Sequence, residues 1–466
     1  MRLEHAVAVA RRYLGDTGAD EAAALLKELE PYDGDFGAVV RALRPVPPDD
    51  PETGLMINRP FRVPHLQRKR PQDLLSLYVP PDYRPDQARG LVIFLHGGGQ
   101  RTRRDAGAGI LQAPRIADIL IESGFIVCAP AAPYHRTSFN GWNLPEADDC
   151  LMDTIEELEH GYNIDPDRVF LAGTSMGGIG VNHLAHRMAD RFASVLASAS
   201  SWDIAYWPCL HGTRVWITQG VNDATLFRRR HGTDIEFARL MRLRLEQAGV
   251  ECHYREHSGG HSIAFGRVFL REWLQWARTQ RRDPFHPRVV ALTPRGLTPW
   301  LDWRRHAVPV VSYQTHADFH DLPEAPHSRW VSIEGIGRET LMYDRAVTTP
   351  CRDDEEDDWN AFEVRLARKH INAGLVEAFL RDDGVIEVGP RNVTAFTLWL
   401  HPEMVDLRRV RVLVNGVERY RGEVRPSLAT LVESYKRRRD WGLLYPAKVT
   451  IESDGSWETG NQIGGG

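Results

Sequence analysis

The stretch Val169-Phe170-Leu171-Ala172-Gly173-Thr174-Ser175-Met176-Gly177-Gly178 decides how the rest of the chain is read. Its first four residues are continuously apolar, the pattern of a strand buried on both faces. The segment from Gly178 to Met188 has the length and composition of a helix. Between them lies G-x-S-x-G, a weak signal alone in a chain with 39 glycines. A strand directly before it and a helix directly after it make the signal far more specific. In that setting the serine is held in a strained turn, and larger residues in place of the glycines would strike the strand and helix. The hydroxyl is lifted clear of the sheet, beside a helix N-terminus that favours developing negative charge. The plain alternative is a Gly-rich strand-to-helix turn with no chemistry.

Upstream, Leu91-Val92-Ile93-Phe94-Leu95 runs into His96-Gly97-Gly98-Gly99-Gln100. Glycines after a central strand let backbone N–H groups turn toward a reacting carbonyl, so Gly98 or Gly99, with the N–H of Met176, are the expected oxyanion donors. A serine hydroxyl is a poor nucleophile unless a base takes its proton and an acid holds that base. Downstream, Val215 to Gln219 reads as a strand ending in Gly220-Val221-Asn222-Asp223, and Val250 to Tyr254 as the next strand, followed by Ser258-Gly259-Gly260-His261. Asp223 and His261 therefore fall on loops at the same sheet edge as Ser175, in the order serine, acid, histidine. Asp203 and Asp234 compete for the acid, and Asp223 could instead be a turn or helix-cap aspartate. His257 competes for the base.

Further runs, Leu74 to Val79, Phe125 to Ala129, Arg168 to Ala172 and Val195 to Ala199, alternate with helix-length segments at Ala113 to Glu122, Glu146 to His160 and Asp234 to Gln247. A last helix is expected at Arg267 to Arg278. Such alternation predicts an α/β fold, a mostly parallel sheet covered on both faces. Residues 1 to about 44 read as two short amphipathic helices, with Ala22-Ala23-Leu25-Leu26 and Val39-Val40-Leu43 at helical spacing, and Pro45 to Pro51 as a linker. After Pro284 the chain turns β-rich, with Asn392 to Leu400 and Val410 to Val414 extended and Asn415-Gly416 poised for a hairpin. The tail from Ser453 is polar and Gly-rich and is expected to fray.

Together the HGGG loop, the stretch Asn163-Ile164-Asp165-Pro166-Asp167-Arg168-Val169 leading into Gly173-Thr174-Ser175-Met176-Gly177-Gly178, the Gly220 to Asp223 loop and Gly259-Gly260-His261 resemble the α/β-hydrolase esterases. Within them the chain is most similar to the branch of polyhydroxybutyrate depolymerases, feruloyl and acetyl-xylan esterases and prolyl-oligopeptidase-like catalytic domains. The likeness covers roughly residues 70 to 280. It implies an α/β-hydrolase domain at 51–284, after a helical segment and linker at 1–50, with a β-rich accessory domain at 285–452 and a flexible tail at 453–466. The accessory part resembles a β domain attached to esterases of this sort through Asn392-Val393, Val405-Asp406-Leu407 and Val414-Asn415-Gly416.

The chemistry these residues predict is acyl transfer on Ser175, with no metal or organic cofactor, on a small or carbohydrate-linked ester. An aminopeptidase or oligopeptidase and a non-catalytic binding protein on a hydrolase scaffold are the competing readings. A net charge of −5 with scattered positive residues gives no footprint for nucleic acid. No apolar run marks an export signal or membrane span, so a cytoplasmic protein is expected unless a leader has been removed. The five cysteines lack CxxC spacing and read as reduced thiols. Phe139, Trp142 and Trp202 follow strands at the active edge and could line a pocket or pack. The acidic run 353–358 reads as a solvated loop before a calcium site, Arg228-Arg229-Arg230 as a solvent-facing helix start before an anion trap, and the C-terminal tryptophans as core before a sugar platform. Oligomeric state is not legible.

Overall fold

The computed structural model describes residues 1–98, 104–133, 141–143, 146–202, 204–223, 233–293, 297–302, 310–315, 327–350 and 362–453. Gly99, Phe139, Asp203, Arg228-Arg229-Arg230, Trp303, Cys351, the acidic run 353–358, Trp359 and the tail from residue 454 lie outside them.

Eight strands form the central sheet: β1 (Gly54–Pro60), β2 (Leu74–Val79), β3 (Arg89–Leu95), β4 (Ile126–Pro130), β5 (Ile164–Thr174), β6 (Ser194–Ser198), β7 (Arg214–Gly220) and β8 (Cys252–His257). Their spatial order is β1-β2-β4-β3-β5-β6-β7-β8. β2 runs antiparallel to both its neighbours and every other pairing is parallel. This is the mostly parallel sheet that the strand–helix alternation predicts and that the resemblance to α/β-hydrolases implies. β1 was not legible, because Asn58 (φ 54°) and a register shift between Met56 and Arg59 break its period-two pattern.

Side chains alternate across the pleat, so one run of apolar residues feeds two cores. Leu91, Ile93, Leu95 and Leu171 join the core beneath α4 (Glu146–Gly161), α5 (Met176–Arg187) and α6 (Ile235–Gln247), while Val92, Phe94, Phe170 and Ala172 join the opposite core beneath α7 (Arg267–Ala277). The helix expected at Ala113 to Glu122 is instead two short ones, Ala108–Leu111 and Ala117–Ile121. Pro114 cannot continue a helix, and Arg115 takes a positive φ of 73°.

The N-terminal 44 residues hold three helices rather than two, at Leu3–Leu14, Ala19–Leu29 and Phe36–Leu43. They bury Ala6, Val9, Ala10, Leu25 and Leu29 against Leu428 and Val432 of α8 (Leu428–Arg438), a helix inside the β-rich half. Lys436 donates from Nζ to the carbonyl of Tyr13 at 2.6 Å, satisfying an orphan carbonyl where the first helix ends. The rest of that half is β. A five-stranded sheet (Arg288–Thr293, Gly374–Leu380, Val385–Arg391, Val410–Val414, Val417–Gly422) faces a four-stranded one (His327–Ser328, Val331–Ile336, Val393–Leu400, Ala447–Glu452) over a shared apolar core. The hairpin at Asn415-Gly416 forms as expected, with φ of 49° and 79° at its two turn residues. Trp330 and Trp399 are fully buried in that core, and Trp441 stacks on Tyr435 with ring centroids 3.8 Å apart. Cys128, Cys150, Cys209 and Cys252 are free thiols.

Candidate active site

Ser175 stands between β5 and α5 with φ 57° and ψ −122°, a conformation that costs a non-glycine residue of the order of 1–3 kcal/mol. The turn is tight enough that a Cβ on Gly177 would strike the carbonyl oxygen of Leu95, and one on Gly173 the carbonyl of Gly177. Ser175 occupies the N-cap position of α5, yet its hydroxyl caps no helix amide. Instead it lies 2.7 Å from Nε2 of His261. His261 Nδ1 lies 2.6 Å from Oδ1 of Asp223. Three side chains separated by up to 86 residues thus form one continuous hydrogen-bonded chain. His261 retains 15% side-chain exposure and Asp223 none, so the chain opens to solvent at the serine end.

Each member is placed by a strand end. Asp223 follows β7 and His261 follows β8 through Ser258-Gly259-Gly260, and the two loops are tied by Asn222 N donating to the Gly259 carbonyl at 3.2 Å. A Cβ on Gly220 would strike that same carbonyl. His257 goes elsewhere: its ring stacks on Phe265 and its Nδ1 accepts from Gly259 N at 3.3 Å. Asp234 stands at the N-cap position of α6.

Two residues that the sequence did not single out complete the acid's surroundings. Gln219 donates from Nε2 to Oδ2 of Asp223 at 2.6 Å, while its Oε1 accepts from Ser200 N at 3.0 Å. Thr233 Oγ1 donates to Oδ1 of Asp223 at 3.2 Å and lies 3.1 Å from His261 Nδ1. Gln219 had a signal, being a fully buried amide at the end of an apolar strand. Thr233 had none.

On the other side of the serine, a Cβ on Gly97 would sit 3.3 Å from the Ser175 Cβ, and one on Gly98 would sit 2.7 Å from Met176 Sδ. The glycine loop therefore lies directly against the elbow. His96 braces it: Nδ1–H donates to the Gly97 carbonyl at 2.8 Å and Nε2 accepts from Ala132 N at 3.0 Å. Burial lowers the His96 imidazole to about 4, which keeps it neutral, and its two hydrogen bonds set the tautomer.

Of the two sequence readings for Trp142 and Trp202, a pocket wall or packing, their burial matches packing. Trp142 is completely buried and donates from Nε1 to the His96 carbonyl at 3.1 Å. Trp202 is 3% exposed, packs edge-on against Trp207 and donates to the Phe237 carbonyl at 2.9 Å. Each indole sits in core that also offers its N–H a partner, the usual condition for burying tryptophan. Among the described residues no group of three or more His, Cys, Asp and Glu is arranged to hold a metal, and no helix is long and apolar enough to cross a membrane.

Residues 72–272 match the family described as "Putative esterase". Over 123 residues the chain is 28% identical to a bifunctional acetylxylan esterase/xylanase of Neocallimastix patriciarum, a match covering 26% of this chain and 17% of the relative. The chain thus spans about a sixth of the length of that curated relative. Similar solved structures include a thermostable esterase (23% identity, TM-score 0.37, covering 45% of this chain and 60% of the other). An S-formylglutathione hydrolase of Staphylococcus aureus is similar at 15% identity and TM-score 0.35, covering 50% of this chain and 98% of the other. Residues 72–272 thus match an esterase family, and they carry most of the central sheet whose strand order is given above.

Proposed function

We propose that this protein hydrolyses carboxylic esters through an acyl-enzyme on Ser175. The observation that carries the proposal is the unbroken chain Ser175 Oγ–His261 Nε2–His261 Nδ1–Asp223 Oδ1, at 2.7 and 2.6 Å. His261 Nε2 takes the hydroxyl proton as Oγ adds to the ester carbonyl, then returns that proton to the departing alcohol as the C–O bond breaks. Asp223 holds the imidazole in the tautomer whose Nε2 is free to accept, and offsets the charge of the imidazolium. A water, deprotonated by the same nitrogen, adds to the acyl-enzyme and releases the acid and the free serine.

Charge builds on the carbonyl oxygen. We assign its donors to the N–H of Met176, at the open N-terminus of α5, and the N–H of Gly98 on the adjoining loop. Such donors commonly lower the barrier by about 3 to 4 kcal/mol each. The resemblance to an acetylxylan esterase favours a short acyl group on a carbohydrate as the substrate class.

The test is p-nitrophenyl acetate turnover with Ser175→Ala. The variant is expected to fold and to lose at least about 10⁴-fold in kcat. Wild-type protein is also expected to be labelled by a fluorophosphonate at Ser175, and failure of both outcomes would discard the mechanism.

A further inference from the structure

A cleft of about 160 Å³ opens far from Ser175, where β5 begins rather than where it ends. The linker residues Pro45 and Val46, Arg44 before them, Tyr162 after α4, and Trp441 from the β-rich half form its walls. The cleft's most unusual member is Glu159. It is only 7% exposed, it faces the cleft, and its carboxylate has no hydrogen-bond or ion-pair partner among the described residues. Other buried acids nearby are fully engaged: Glu157 accepts from Arg59 and from the backbone of Arg62 and Val63, and Asp153 from Arg70 and Arg439. Holding a largely buried carboxylate ionised without a partner is costly, and either a proton or a ligand that brings it a donor relieves that cost.

Of the other polar groups of the cleft, the Trp441 indole N–H is buried without a partner among the described residues, and the rest are committed. Tyr162 donates its hydroxyl to the Glu52 carbonyl at 2.9 Å, the Asn163 amide donates to the Pro85 carbonyl at 3.0 Å, and Arg44 donates to the Ile164 carbonyl at 3.4 Å. A sugar would bring several hydroxyls to walls of proline and valine that offer it, besides the carboxylate, a single indole N–H. A single cationic head on an apolar body meets one acceptor and a ring-sized apolar space. We propose that this cleft binds a small organic amine, its ammonium against the Glu159 carboxylate and its hydrocarbon between Pro45, Val46 and the Trp441 indole. Burial raises the Glu159 carboxyl to about 7, with Arg191 and Arg44 opposing the rise and Asp440 and Glu156 adding to it. Glu159 is therefore fully ionised only in mild alkali, and an ammonium ligand brings it the direct ion pair that Arg191 and Arg44 do not make.

The proposal is independent of the chemistry at Ser175. Its test is calorimetric titration of the full chain with phenethylammonium chloride at pH 8, alongside 2-phenylethanol. Saturable binding with one site is expected for the amine, at least tenfold weaker binding for the alcohol, and at least tenfold loss for the amine with Glu159→Gln. Absence of saturable binding at millimolar amine overturns the proposal. So does equal affinity for the alcohol, which needs no variant, or unchanged affinity in a Glu159→Gln protein with wild-type melting behaviour.

Discussion

Asp223 and Asp440 are buried to nearly the same depth, 2% and 1% exposed, and keep opposite company. Asp223 is surrounded by neutral donors: the amide of Gln219, the hydroxyl of Thr233 and the ring N–H of His261. Asp440 is surrounded by cations. Arg282 donates to both its oxygens at 2.6 Å, Arg191 reaches it at 2.6 Å, and Gly442 N adds a bond at 2.9 Å. Burial opposes the ionisation of Asp440, but Arg191 and Arg282 outweigh it and hold the carboxyl well below the usual carboxylate range. The difference separates two uses of a buried charge. A carboxylate matched by guanidinium groups is settled, and here it ties Arg191 and Arg282 of the central-sheet half to the turn after α8. One held only by neutral dipoles keeps its attraction for a positive charge that arises nearby, as on an imidazole taking a proton.

The largest expected effect tests the active-site half of that contrast. Asp223→Asn keeps the shape but presents an amide to His261, disfavouring the tautomer whose Nε2 accepts from Ser175. Turnover of p-nitrophenyl acetate is expected to fall about 10⁴-fold with little change in melting temperature. A variant retaining a tenth of wild-type kcat would erase the proposed distinction. At the other carboxylate the pattern inverts. Asp440→Ala leaves Arg282 buried with only part of its company, and breaking a buried pair in this way costs about 3 to 5 kcal/mol. Urea unfolding should register that loss while kcat of the folded enzyme stays near wild type. The pH dependence follows from the depressed acidity. Asp440 contributes stability above the unfolded-state aspartate value of about 3.9, and loses it as pH falls toward the folded value. The gap between wild type and Asp440→Ala should therefore narrow as pH drops below about 4.

The same contrast explains what was legible beforehand. Ser175 and Asp223 are readable because each follows a short apolar strand and a glycine, and His261 because it follows a strand through Gly259-Gly260, signals local in sequence. Asp440 offers no such cue, since its partners Arg191 and Arg282 lie 249 and 158 residues away and a charged residue next to Arg439 reads as surface. Glu159 is hidden for a related reason: on α4 it belongs to an acidic stretch, and only the Pro45–Pro47 linker and Trp441 bury it. For Trp142 and Trp202 the sequence leaves pocket and packing both open. Their positions after strands placed them near the serine, but solvent access was decided by packing against His96 and Trp207. The first helix escaped because its buried face, Ala6, Val7, Val9, Ala10 and Tyr13, is interleaved with charge and meets α8 from the far end of the chain.

The smallest expected effect probes how much the neutral donors themselves matter. Thr233 touches neither the serine nor any reacting atom, so it is a positioning residue acting through Asp223 and His261. Thr233→Val keeps the volume and removes one donor from a buried carboxylate, a loss worth about 1 to 1.5 kcal/mol. If that donor holds the acid in line with the ring, kcat should fall about tenfold with KM unchanged, since 1.4 kcal/mol is a factor of ten. Thr233→Ser should restore the rate because it returns the hydroxyl without the methyl. A fall shared equally by Val and Ser would instead assign Thr233 to packing, leaving Gln219 as the dipole that orients Asp223.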